Sequence, residues 1–156
     1  MKRQSAKAVV ILSMLVLAGG CATPERIAVQ PFDKVATVES DFDATWEELV
    51  RFLSTNQIGI KTIEKDSGLV VMENLNMSPN LIQEYCTNIQ IPLMWSLQSG
   101  KASGNVTVDE DDGFTTVAVN MSYQATTQFC YDGCSYNTAR CDSTGKFETE
   151  LLDAVQ

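Results

Sequence analysis

Five cysteines, Cys21, Cys86, Cys130, Cys134 and Cys141, are the residues of this 156-residue chain best equipped for chemistry, and no histidine accompanies them. A thiol can act as a nucleophile, ligate a metal or form a disulfide. Without histidine, the commonest base for activating a thiol or serine and the commonest zinc ligand are both missing. The spacing 86, 130, 134, 141 also lacks the paired C-x2-C knuckles of zinc sites. Disulfides are the expected use, with three pairings possible for four cysteines. In "CYDGC" an Asp132-Gly133 turn brings Cys130 and Cys134 close enough to bridge, and Cys86 then pairs with Cys141.

The carboxylates point less clearly to chemistry. "DEDDG", Asp109 to Gly113, places its glycine at the fifth position and lacks the D-x-D-x-D-G spacing of a calcium loop, so a solvated hairpin turn is expected there. The remaining acids are scattered along expected surfaces rather than paired on facing elements, the arrangement acid–base catalysis needs. No catalytic residue, metal or cofactor is assigned. One apolar cluster, Tyr85, Leu93, Met94 and Trp95, has two readings: core packed against a helix, or an exposed docking patch of the aromatic and Met type found at contact centres.

Cys21 is the odd cysteine, and it stands where an export signal would end. Lys2, Arg3 and Lys7 precede an apolar run from Ala8 to Ala18 and the small pair Gly19-Gly20. Eleven apolar residues are too few to cross roughly 30 Å of hydrocarbon. "LAGGC" resembles the bacterial lipobox, with Ala18 where leucine is usual. The resemblance implies cleavage before Cys21, diacylglyceryl and palmitate chains on it, and, with Ala22 rather than Asp following, transfer to the outer membrane. The expected organisation is a signal at 1–20, a lipid-anchored tether at 21–33 and one periplasmic domain at 34–156. An oxidising compartment suits the four other cysteines.

Charge narrows the partners. After the signal, eight basic residues face twenty acidic ones, a net of −12. Nucleic acid, which needs clustered Lys and Arg, is excluded as a partner, and so is charge-driven binding to anionic lipid. With 44% hydrophobic and 20% charged residues, the composition is that of a folded domain.

Periodicity supplies the elements that must position these groups. "KVATVES" alternates as a strand. Trp46, Leu49, Val50 and Leu53 form one helical face, with Asp43 as the expected cap and Asn56 and Gly59 as the stop. "IGIKTIE" and "LVVMEN" flank a turn at "KDSG". "SPNLIQEYCTNI" suits a short helix capped by Ser78, in competition with an edge strand through Ile89, Ile91, Leu93, Trp95 and Leu97 that Pro92 interrupts. A hairpin turns at Asp112-Gly113, a cysteine-bearing loop follows, and a helix with Phe147, Leu151, Leu152 and Val155 on one face closes the chain, capped by Ser143 or Thr144. The expected fold class is α+β: a single antiparallel sheet with two helices on one face, stapled by two disulfides.

"ATWEELVRFL…GIKTIEKDSGLVVME" resembles the repeated unit of helix-grip lipoprotein domains, as in the third lipoprotein of the outer-membrane β-barrel assembly machine, and "CDSTGKFETELL" is similar to the closing helix of related envelope lipoproteins. This chain holds one such unit rather than two. The expected function is a non-enzymatic, membrane-anchored module that binds another envelope protein. Two alternatives are a small-ligand or lipid binder using a helix–sheet groove, and an inhibitor steered by charge to a basic enzyme such as lysozyme.

Overall fold

A computed structural model describes residues 27–156. Cys21, the expected signal and the first residues of the expected tether lie outside the described residues. Seven strands and three helices follow one another as β1 (Val35–Val38), α1 (Phe42–Thr55), β2 (Ile60–Glu64), β3 (Leu69–Met77), α2 (Pro79–Tyr85), β4 (Cys86–Thr87), β5 (Ser96–Asp111), β6 (Phe114–Cys130), β7 (Cys134–Ser143) and α3 (Lys146–Ala154). All described pairings are antiparallel, in the order β2-β3-β5-β6-β7-β4, with β1 also on β6. The fold is therefore α+β with one antiparallel sheet and two disulfides, Cys86–Cys141 and Cys130–Cys134.

Alternation along the strands sends one side of the sheet to the helices. Val70 and Met72 of β3, Val106 and Val108 of β5, and Val117 and Val119 of β6 are fully buried against Leu49 and Leu53 of α1 and Leu151 and Leu152 of α3. A second, smaller core sits farther along the same strands, where Ile82 of α2 and Cys86 cover Ala102, Tyr123 and Ala125. Helix α2 approaches β5 so closely that a Cβ on Gly100 would stand 2.6 Å from Ile82 Cδ1. Glycine at that position is what lets the helix dock.

Five expectations need correction. Helix α3 starts from Gly145 with no side-chain cap bond, rather than from a Ser143 or Thr144 cap. Three helices, not two, cover the sheet, because α2 forms under its Ser78 cap and buries Ile82. Helix α1 begins earlier than expected: Asp41 rather than Asp43 caps it, accepting from Ala44 N at 2.8 Å, and Asp43 instead pairs with Lys65. No edge strand runs from Ile89 to Leu97; Pro92 and a positive φ at Met94 break the extended run, and β5 starts at Ser96. The cysteine-bearing segment is not a loop but the paired continuation of β6 and β7, with Cys130 opposite Cys134 at its end.

The expected tether also ends sooner. Ile27 and Asn88 exchange two hydrogen bonds, Ile27 N donating to Asn88 Oδ1 at 2.8 Å and Asn88 Nδ2 donating to the Ile27 carbonyl at 3.0 Å. Phe32 packs over Gly145, whose φ of +82° and missing Cβ make room for the ring. The chain is thus held to the domain from Ile27 onward.

The two bridges should differ in weight. Cys86–Cys141 closes a separation of 55 residues and Cys130–Cys134 one of 4. Loop-closure entropy assigns them roughly 4 and 2 kcal/mol. Urea denaturation of C86A/C141A should show about twice the destabilisation of C130A/C134A; equal losses would mean that the long bridge does not set the stability of the arm it crosses.

Candidate functional site

Two features of the fold could bind something: the far end of the sheet, and a groove beneath the helices. The far end is built by the length of β5, β6 and β7. Beyond Ala125 these strands run past the helices, and β7 is exposed from Cys134 to Arg140. The hydroxyl of Thr127 donates to the Asn137 carbonyl, so the backbone of Asn137 faces β6. By strand alternation the backbone groups of Tyr136, Thr138 and Arg140 face outward. Asp142 faces outward too, and there β4 meets it through Thr87. Among the described residues nothing pairs with the edge from Tyr136 to Arg140.

The expected patch of Tyr85, Leu93, Met94 and Trp95 does not stay together. Trp95 stacks on Phe129 of β6 with centroids 5.9 Å apart, and Leu93 and Met94 project from a turn closed by Trp95 N donating to the Pro92 carbonyl at 3.0 Å. Tyr85 belongs elsewhere. Its ring meets Phe147 edge-on at 6.4 Å, lies under the Lys146 ammonium and donates its hydroxyl to Glu150. Burial and the Glu150 carboxylate raise its pKa above the usual phenol value. Sequence reasoning missed Phe129 as the companion of Trp95; its signal was an aromatic residue immediately before "CYDGC".

The groove lies between α1, α2 and α3 and a bulge in β3. Asn74 takes a φ of +54° where the β3–β5 register shifts between Met72 and Leu75. The resulting cavity, about 510 Å³, is lined by Phe52, Leu75, Met77, Tyr85, Met121 and Phe147, with Asn56 and Glu73 among its polar residues. Its size is that of a small-molecule site. Tyr123 also lines it, and the Tyr123 hydroxyl is buried beside Ser143 and Glu148. Next to Tyr123, Glu148 is wholly buried: Oε1 accepts from Ser143 Oγ at 2.8 Å, while Oε2 has no partner. Burial, then the Glu148 charge, pushes the Tyr123 phenol far above its ordinary range. A phenol held neutral in this way is a hydrogen-bonding group rather than an acid.

Among the described residues no cluster of histidine, cysteine, aspartate and glutamate is placed to hold a metal ion, and no helix is long and apolar enough to cross a membrane. The four described cysteines are all bridged. Compared with known proteins, the sequence matches no family model and shows no significant similarity to a curated protein.

Tyr123 gives this site a pH signature. Its phenol stays protonated in the folded chain but ionises near pH 10 once unfolded, so the unfolded state binds fewer protons above that pH and stability falls as pH rises. Tyr123→Phe removes this contribution. Above about pH 10 the variant should lose stability less steeply than the wild type, by up to about 1.4 kcal/mol per pH unit in urea titrations. Parallel slopes would mean the hydroxyl reaches water.

Proposed function

We propose that this chain is a lipid-anchored envelope lipoprotein of the outer membrane, with a non-enzymatic α+β domain that works by binding another envelope protein. The observation that supports this most directly is the free edge of β7. Tyr136, Thr138 and Arg140 offer unpaired backbone donors and acceptors on a strand braced by a disulfide at each end. Such an edge is a template for strand addition, and proteins that leave one uncovered normally blunt it. Of the usual devices, a single cation, Arg140, is present along it.

The lipobox resemblance at Cys21 supports the anchor, and the helix-grip resemblance agrees with a sheet gripping helices on one side. A charge of −12 after the signal directs the domain toward basic or neutral protein surfaces and away from nucleic acid.

The groove favours a second reading, a small amphipathic ligand. Its apolar walls suit a short chain or ring. Glu73 and Glu150 among the lining residues disfavour an anion.

Two measurements test the first reading. Radioactive palmitate should label the chain in cells, and Cys21→Ser should abolish both the label and membrane retention; a labelled serine variant would remove the anchor. A photo-reactive residue at position 136 should capture one envelope protein. Thr138→Pro, which deletes an outward N–H and costs the β6 side only the Thr126–Thr138 hydroxyl bond, should reduce that capture at least tenfold. Capture unchanged by the proline would rule out pairing along this edge.

A further inference from the structure

The turn that carries Leu93 and Met94 is poorly explained by folding alone. Met94 sits at a φ of +69°, a conformation that favours Gly or Asn. Both side chains point into solvent: Leu93 is 92% exposed, Met94 75%, and Tyr131 at the tip of the β6–β7 hairpin 85%. Trp95, stacked on Phe129, ties the turn to that hairpin.

The chain itself shows what stands opposite this patch. Ile27 is clamped to Asn88, so only residues 22–26 separate the clamp from Cys21, and the six steps from Cys21 to Ile27 span no more than roughly 22 Å in any conformation. Leu93 is five residues from Asn88, within roughly 18 Å of it. An acyl chain on Cys21 therefore keeps this end of the domain near the bilayer. Charge agrees with that orientation, Asp132 beside Tyr131 being the acid carried by the hairpin tip itself. The acidic turn Asp109 to Asp112 lies at the start of β6, while the patch lies at its other end, 17 residues away along one strand. At roughly 3.3 Å per residue that is about 55 Å, several Debye lengths.

We infer that Leu93, Met94, Trp95 and Tyr131 form a membrane-contact surface that seats the domain on the bilayer holding its own lipid. The inference rests on the anchor proposed at Cys21. Trp and Tyr with exposed aliphatic neighbours are the residue types that settle at the headgroup level, and no cationic patch is required. The contact adds a second attachment point to the lipid and fixes the orientation of the β7 edge above the membrane surface.

The test uses the full lipidated protein reconstituted in phosphatidylcholine vesicles carrying a spin label near the headgroup. Trp95 fluorescence should fall by at least half relative to unlabelled vesicles. Trp46 is buried in the core and serves as an internal unquenched signal in the wild type, and Trp46→Phe isolates Trp95. In L93D/M94D the quenching should disappear while the protein stays with the vesicles. Trp95 left unquenched in palmitate-labelled, vesicle-bound protein would overturn the membrane contact and leave the anchor standing. In that case capture of a protein from position 93 in cells would make the patch a protein contact. Absence of the palmitate label would remove the anchor and this proposal with it.

Discussion

The sheet of this protein is longer than the helices that cover it, and most of the architecture follows from that mismatch. Strand β6, with 17 residues, extends roughly 55 Å, whereas the 14 residues of α1 reach about 21 Å. Hydrophobic burial can therefore hold only part of the strands. Under α1 and α3 lies the main core, rich in fully buried valine and leucine. Under α2 lies a thinner one of Met77, Ile82, Ala102, Tyr123 and Ala125. Beyond it the strands have no helix above them: Thr127 stays buried and Trp95 stacks on Phe129, and the two disulfides brace what remains.

The bridges sit where this division requires them. Cys86–Cys141 ties the short β4 and the end of α2 to β7 at the border of the second core, and Cys130–Cys134 closes the hairpin at its exposed end. Between them β7 has neither helix nor strand on its outer side. A domain that had to hide every backbone group would not leave such an edge. The uncovered edge of β7, the exposed turn at Leu93 and Met94 and the clamp of Ile27 on Asn88 occur in this disulfide-held half, while the valine core lies in the other, beside the opposite edge strand β2.

The same division explains what the sequence disclosed. Helix α1, α3, the strands β2, β3 and the Asp112-Gly113 hairpin were legible because each buries one face and so carries a period of 3.6 or 2. The pairing of the four cysteines followed from one short turn and from parity. The β7 half of the arm was not legible, because residues such as Asn137 and Thr138 leave it without an apolar period, and a strand exposed on both faces from Cys134 to Arg140 looks like a loop. Residues 89–97 misled for the opposite reason, an apolar alternation that Pro92 and Met94 prevent from becoming a strand. The buried Tyr123 and Glu148 could not be foreseen as neighbours, since the arm's register alone brings Ser143 and Glu148 next to β6.

If covalent bonds rather than packing hold the far half of the sheet, reduction should release that half alone. Amide hydrogen exchange of the oxidised and reduced chain measures this directly. Protection should be lost after reduction at β4, at β7 and in β6 beyond Tyr123, while Val117, Val119 and the α1 amides keep theirs. Uniform loss across both halves, or unchanged protection of β7 in the reduced chain, would contradict this.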